Sequence, residues 1–288
     1  MGLARAAGQW VVAPPEPASA DWPLPLGAQR GSVETMATPI LLIHGHPFDH
    51  TLWDPQAQAL RAAGYQVIAP DLRGYGAHPS PVGEITLLAD FAEDLAGQLD
   101  RHGVTKAVVG GVSMGGQIAM EFFWRYPERV AGLVLSDTSP VADNDEGKAW
   151  RTAMADRLLA EGLAGYAAEV LDKMITPKHV AEMPEVADHV RRMMLVTSPR
   201  AAAAALRGRA ERPDYRDTIA GVRVPTLIVV GAEDVFTPLA DAEAIRRLIP
   251  GSELMIVDEA GHLPGLECPD VVNKALLGFL GSHFPIEA

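Results

Sequence analysis

One serine, one aspartate and one histidine of this chain stand in segments typical of nucleophilic catalysis. Ser113 lies in GVSMGG (111–116), which directly follows an apolar run and fits the pattern G-x-S-x-G. This pattern predicts a sharp turn from a strand into a helix, in which the glycines leave room and the serine hydroxyl projects at the helix N-terminus. The helix dipole favours negative charge at that end. The segment therefore predicts a nucleophile at Ser113.

A nucleophilic serine needs a general base, and the base needs an acid that orients it. Asp234 follows an apolar run in VVGAEDVFTP, and His262 follows another in ELMIVDEAGHLPG. Each of the three residues thus lies beyond a different predicted strand, and parallel strands bring such positions to one edge of a sheet. We predict that Ser113, Asp234 and His262 form a catalytic triad.

Two other acidic residues are alternatives for the orienting acid. Asp137 also ends an apolar run, VAGLVLSD (130–137), and Glu233 directly precedes Asp234. An aspartate in a loop often serves only as a turn or cap residue, so position alone does not decide the role. Asp234 is the favoured acid, Asp137 is its first rival and Glu233 is a lesser one.

Six short apolar runs predict the strands that hold these residues. The runs are continuous rather than alternating, as expected of strands that are buried on both faces of a parallel sheet. They are PILLIHG (39–45), YQVIAPD (65–71), KAVVGG (106–111), VAGLVLSD (130–137), PTLIVVG (225–231) and ELMIVD (253–258). Segments with helical periodicity separate them, most clearly at 51–63, 86–103 and 114–127. This alternation predicts an α/β fold, a mostly parallel twisted sheet flanked by helices.

One part of the chain breaks the alternation. Residues 139–216 contain no convincing strand and several helical stretches rich in Ala, Met and Arg. We predict a core of residues 39–138 and 217–288, with 139–216 inserted as a helical cap near the strand ends, where open sheets bind ligands. Residues 1–38 are rich in Pro, Ala and Gly and are predicted to form an irregular leader. Their faint likeness to a secretory signal is interrupted by polar and proline residues, so export is disfavoured.

Composition excludes several classes of function. Of the 288 residues, 37 are acidic and 24 basic, and the net charge of −13 disfavours a nucleic-acid partner. The single cysteine, Cys268, excludes an internal disulfide and a multi-cysteine metal site.

No run of the sequence approaches the roughly 18 apolar residues of a membrane span. We expect a cytoplasmic protein, a monomer or homodimer, with a small-molecule substrate and neither a nucleic-acid nor a membrane partner.

The segment HGHPFDH (44–50) contains three histidines and an aspartate, which are common zinc ligands. The pattern H-x-H-x-D-H of metallo-β-lactamases is not matched, because two residues separate the second histidine from the aspartate. Pro47 also makes a shared ligand geometry difficult. We expect no metal here: His44 braces the loop, and Asp49 and His50 cap a helix that begins near Thr51.

Five segments in succession resemble the signature loops of the α/β-hydrolase superfamily: HGHPFDHTLW, DLRGYG, GVSMGG, GAEDVFTP and AGHLPGLECPD. The chain is most similar to the serine esterase and 3-oxoadipate enol-lactonase-like branch, from about Pro39 to about Leu280. The resemblance implies an eight-stranded, mostly parallel sheet with a helical cap after the sixth strand. Family members open with an antiparallel hairpin, whereas residues 1–38 supply one strand at most, in QWVVA (9–13).

The resemblance also implies an oxyanion hole. In the family the loop after the first parallel strand carries H-G-x-P, and the backbone N–H of the third position is one donor. Here that position is His46. The second implied donor is the N–H of Met114, the residue after the nucleophile. Pro47 has no N–H and stiffens the turn.

These observations together predict a serine hydrolase that cleaves small to medium carboxylic esters through an acyl-enzyme, without a metal or organic cofactor. The alternatives are a lactonase, a hydrolase of C–C bonds and, less favoured, a non-catalytic small-molecule receptor. A serine at position 113 argues against the dehalogenase and epoxide hydrolase branches, which use a carboxylate nucleophile.

The substrate pocket is the least determined feature of the sequence. Five apolar residues are candidates for its wall, although each could equally be core: Phe48, Trp53, Trp124, Met193 and Met194. The pair Arg191 and Arg192 could hold a substrate carboxylate, although such a pair is more often a solvated helix face.

Overall fold

The computed structural model describes residues 38–78 and 82–286, and within them six strands form one parallel sheet. The strand order is β2-β1-β3-β4-β5-β6. The strands are β1 (Ile40–Ile43), β2 (Val67–Ile68), β3 (Ala107–Val112), β4 (Val130–Ser136), β5 (Thr226–Gly231) and β6 (Glu253–Val257). Each predicted apolar run contains one of these strands, so the α/β fold is confirmed. The predicted leader and the missing hairpin fall in 1–38, outside the described residues, apart from residue 38.

Side chains of successive strand residues point to opposite faces of the sheet, and each face has its own core. In β1, Leu41 and Ile43 belong to one buried cluster, while Ile40 and Leu42 belong to the other. Four helices pack into the first cluster: α2 (Leu88–Arg101), α3 (Met114–Arg125), α9 (Arg216–Ala220) and α10 (Leu239–Leu248). The second cluster contains residues of α1 (Asp54–Ala62), α11 (Pro264–Glu267) and α12 (Pro269–His283). The sheet is therefore covered on both faces.

Five helices follow β4 before the chain returns to the sheet through α9, and we call them the cap helices. They are α4 (Asp145–Glu161), α5 (Ala164–Met174), α6 (Pro177–Glu182), α7 (Pro184–Val196) and α8 (Pro199–Ala210). Their apolar side chains extend the second cluster. Short 3₁₀ helices at His50–Trp53 and Pro127–Arg129 complete the described elements.

Across 38–78 and 82–286, no helix is both long and apolar enough to cross a membrane.

Candidate active site

Ser113 occupies a strained turn between β3 and α3. Its backbone has φ +57° and ψ −118°, a left-handed value that L-residues rarely adopt. The turn depends on two glycines. A Cβ on Gly111 would lie 2.2 Å from the carbonyl carbon of Gly115, and one on Gly115 would lie 2.2 Å from the carbonyl oxygen of Ile43. The predicted sharp turn is present, and it places Ser113 directly before the first residue of α3.

His262 and Asp234 meet at the same edge of the sheet. The Nδ1 atom of His262 lies 2.8 Å from Oδ2 of Asp234, and both side chains are buried. Asp234 also accepts hydrogen bonds from the Phe236 N–H (2.8 Å) and the Thr237 hydroxyl (2.6 Å). Burial would raise the pKa of Asp234, but His262 and these hydrogen bonds outweigh it and lower the pKa. An ionised Asp234 would hold His262 with its Nε2 atom free to act as a base.

Ser113 and His262 face one cavity of about 470 Å³. Ser113 is 8% exposed and His262 only 3%, so the cavity provides their access to solvent. Helices α4, α5 and α8 supply much of its wall, which places the cap helices over the serine. Polar and charged side chains are prominent in its wall, among them His46, Gln117, Asp143, Arg151, Tyr166, Arg209, Arg212 and Asp241.

The rival acid Asp137 lies next to the favoured one. Its Oδ1 accepts the Gly231 N–H at 2.8 Å, and its Oδ2 accepts the Ser136 hydroxyl at 2.6 Å. Ligand atoms of Asp137, Asp234 and His262 all lie within 4.8 Å of one another. Burial, and then the charge of Asp234, raise the pKa of Asp137 well above its usual value. His262 donates its Nδ1 hydrogen bond to Asp234 and not to Asp137, which favours Asp234 as the orienting acid.

The loop after β1, which contains His46, passes beside Ser113. A Cβ on Gly45 would lie 3.3 Å from the Cβ of Ser113, which shows how closely the loop passes. No carbonyl or side chain in the described residues accepts a hydrogen bond from the His46 N–H. Met114 is the first residue of α3, so its N–H has no acceptor one turn earlier in the helix. Met114 is thus next to Ser113 and His46 lies in the neighbouring loop, and their role as oxyanion-hole donors stays a prediction.

The three imidazoles of HGHPFDH have no hydrogen-bond partner in common. His44 Nε2 accepts the Leu72 N–H at 3.0 Å, and its Nδ1 donates to the Gly45 carbonyl at 2.8 Å. His46 Nδ1 lies 2.8 Å from the Tyr75 hydroxyl, and His50 Nδ1 lies 2.7 Å from Asp71. His44 therefore braces the loop, as predicted.

The prediction that Asp49 and His50 cap the next helix is confirmed for Asp49 and wrong for His50. Asp49 accepts the Thr51 N–H at 2.9 Å and is the N-cap of the 3₁₀ helix. His50 was expected to share this role, but its N–H and ring bind Asp71 instead. Asp49, His50 and Asp71 bring potential metal-ligand atoms within 4.8 Å of one another, yet each already has hydrogen-bond partners in the protein.

The residues predicted for the substrate pocket lie elsewhere. Phe48, Met193 and Met194 are packed in the second core cluster, and Trp124 is 55% exposed beside Arg125. Trp53 lines a separate, smaller cavity that Ser113 does not reach. The prediction is therefore corrected: aromatic and methionine content identified apolar packing, whereas the wall of the serine's cavity is largely polar.

The arginines expected to hold a carboxylate also lie outside this cavity. Arg191 is 42% exposed and pairs with Asp188 one turn away, and Arg192 is exposed. Three other arginines line the cavity instead: Arg151, Arg209 and Arg212. Two of them, Arg209 and Arg212, lie in the arginine-rich end of an alanine-rich segment, AAAAALRGRAER (201–212), which does not reveal which side chains face inward.

The sequence profile described as "alpha/beta hydrolase fold" matches residues 38–269. The 3-oxoadipate enol-lactonase 1 of Acinetobacter baylyi is 30% identical over 234 residues, which cover 81% of this chain and 85% of the relative. A thermophilic esterase of Thermogutta terrifontis, solved with malate bound, is 38% identical with a TM-score of 0.83, covering 86% of this chain and 91% of that chain. The enol-lactonase of Burkholderia xenovorans LB400 is 25% identical with a TM-score of 0.79, covering 88% and 94%.

Proposed function

Because the chain belongs to the α/β-hydrolase family, we propose that it hydrolyses small to medium carboxylic esters through an acyl-enzyme on Ser113. One observation supports this proposal most directly. A strained serine at the start of α3 shares a cavity with His262, whose other ring nitrogen is bonded to Asp234 at 2.8 Å. This is the arrangement of nucleophile, base and orienting acid that acyl transfer requires.

Acylation would begin when His262 Nε2 takes the proton of the Ser113 hydroxyl as its oxygen attacks the ester carbonyl. The carbonyl oxygen would then carry a negative charge and accept hydrogen bonds from the N–H groups of His46 and Met114. Each such donor typically lowers the barrier by about 3 kcal/mol. The imidazolium of His262 would be stabilised by ionised Asp234, and it would give its proton to the departing alkoxide.

Deacylation repeats these steps with water as the nucleophile. His262 takes a proton from the water, the hydroxide attacks the acyl-Ser113 carbonyl, and the serine oxygen leaves with the proton from His262. Both half-reactions use only side chains and amides of this chain.

A lactonase is the second candidate, and the enol-lactonases among the relatives favour it. Ring opening would follow the same acylation chemistry, but the leaving oxygen would remain attached to the acyl group. The two activities therefore differ in the substrate that the cavity accepts. Hydrolysis of C–C bonds, and binding of a small molecule without turnover, are weaker alternatives.

Turnover of p-nitrophenyl acetate and butyrate by the wild type and Ser113→Ala tests the proposal, together with labelling of Ser113 by a fluorophosphonate. We expect labelling and turnover in the wild type and neither in S113A. No labelling and no Ser113-dependent turnover would exclude the esterase and leave a receptor. A panel of lactones, followed by acid release, would separate lactonase from esterase.

A further inference from the structure

The guanidinium of Arg209 faces the catalytic cavity without a counter-ion. Arg209 lies near the end of α8, is partly buried, and forms no ion pair with any residue in 38–78 or 82–286. Its Nε donates to the Gln117 side-chain oxygen at 3.1 Å. A guanidinium has five N–H donors, so the two terminal nitrogens remain available to a ligand.

The other two arginines in the wall are already neutralised in part by one carboxylate. Arg212 donates to Asp143 at 2.7 and 3.3 Å, and Arg151 donates to the same carboxylate through Nε and, at 3.2 Å, through a terminal nitrogen. Asp143 therefore balances one positive charge of this pair. The three arginines and Asp143 leave a net positive charge in this part of the cavity.

The remaining acid of the wall has a partner other than the arginines. Asp241 lies on α10 and is bonded to Ser139, and burial and then the nearby charge of Asp234 raise its pKa. By contrast, burial and then the charges of Arg151 and Arg212 lower the pKa of Arg209 well below its usual value. A partly buried cation beside other cations is costly unless an anion joins it.

Arg209 is also placed close to the nucleophile. Its partner Gln117 lies one helical turn, about 5.4 Å along the axis, from Ser113 on α3. The Nε2 atom of His46 lies in the same wall, buried and without a hydrogen-bond partner. Tyr166 presents a further hydroxyl to the cavity. Polar groups of Arg209, His46 and Tyr166 thus line the same cavity as Ser113.

We propose that Arg209 binds a free carboxylate of the substrate, so that the cavity selects esters or lactones with a second, ionised carboxyl group a few carbons from the scissile carbonyl. This inference rests on the proposed function, whose reaction it leaves unchanged. A carboxylate would pair with the two terminal nitrogens of Arg209, and such bidentate contacts are both strong and directional.

Hydrolysis of monoethyl glutarate is compared with that of its near-isosteric amide, ethyl 4-carbamoylbutanoate, by pH-stat titration. We expect the wild-type kcat/KM to favour the anionic ester by about 10- to 100-fold. Arg209→Gln should reduce that ratio by most of this factor, and Arg209→Lys should restore part of it. Arg207→Gln is the matched control, because Arg207 lies on the same helix but pairs with Asp156.

The proposal is overturned if the wild type does not prefer the anionic ester, or if R209Q keeps the wild-type ratio. A second measurement needs no variant: glutarate should inhibit p-nitrophenyl butyrate turnover at about tenfold lower concentration than glutaramide. Equal inhibition would also overturn it. If p-nitrophenyl butyrate turnover remains Ser113-dependent in these cases, the proposed function stands and only the carboxylate subsite fails.

Discussion

Asp137 and Asp234 lie side by side behind His262, and their environments move their pKa values in opposite directions. Burial, and then the charge of Asp234, raise the pKa of Asp137 well above its usual value, although its two hydrogen-bond donors act against this. His262 donates a hydrogen bond to Asp234, and its charge and this bond help to lower the pKa of Asp234. The difference favours Asp234 over Asp137 as the carboxylate that pairs with His262.

This difference predicts unequal losses of activity. Asp234→Asn should lower kcat on the order of ten-thousand-fold, because the amide cannot stabilise the His262 imidazolium. Asp137→Asn leaves the hydrogen bond between His262 and Asp234 in place, so kcat should fall by less than about tenfold. Steady-state kinetics on p-nitrophenyl butyrate would measure both. A larger loss in D137N than in D234N would identify Asp137 as the orienting acid.

The raised pKa of Asp137 also predicts how stability depends on pH. A carboxyl whose pKa is higher in the folded state stabilises the fold fully below its unfolded pKa, about 4, and loses that contribution as pH rises towards the folded value. Asp137→Asn removes this titration. The unfolding free energy of D137N relative to the wild type should therefore increase as the pH rises above about 4, as measured by urea unfolding. A pH-independent difference would contradict the raised pKa.

The strands and the serine turn were predictable because local sequence determines them. Continuous apolar runs identified β1 and β3 since a strand buried on both faces has no polar side, and GVSMGG identified the turn because only glycine fits against Ile43. The loops that hold Asp234 and His262 were found in the same way, each beyond an apolar strand.

The cavity wall was not predictable because it depends on how distant helices pack. Arg209 meets Gln117 only through the packing of α8 near α3, and no periodicity within either helix encodes that contact. Met193 and Met194 were expected in the pocket because an apolar residue of a cap can face the ligand or the core, and the structure places them in the core. His50 was expected to cap a helix, but Asp71, remote in sequence, provides a stronger partner.

The close packing of Gly115 against β1 predicts a sensitive position. Gly115→Ala would place a methyl group 2.2 Å from the Ile43 carbonyl oxygen, so the start of α3 must shift. We expect a loss of about 1–3 kcal/mol in unfolding free energy, and a fall in kcat because Ser113 moves with the helix. Chemical denaturation and p-nitrophenyl butyrate turnover would measure the two effects.

Gly278→Ala is the matched control for this substitution. Gly278 lies inside α12, and an added Cβ would meet nothing within 4 Å. Since alanine favours helix, G278A should gain about 0.5–1 kcal/mol and keep full activity. Equal stability of G115A and G278A would show that the turn has more room than the structure indicates.

Glu267 connects the loop that contains His262 to the cap helices. Its Oε1 accepts the N–H of Gly261, the residue before His262, at 2.8 Å. Its Oε2 accepts the Thr176 N–H at 2.7 Å and lies 2.9 Å from Nδ1 of His179. The side chain is fully buried, so all these donors depend on this one carboxylate.

Glu267→Gln keeps the size of the side chain but turns one acceptor into a donor that faces other donors. We expect a loss of about 2–4 kcal/mol in unfolding free energy, because at least one buried N–H is left without a partner. The kcat should fall more than KM changes, since the backbone next to His262 loses its anchor. Glu169→Gln, which removes an exposed partner of Arg157, should change neither quantity. Wild-type stability and kcat in E267Q would mean that the histidine loop holds its position without Glu267.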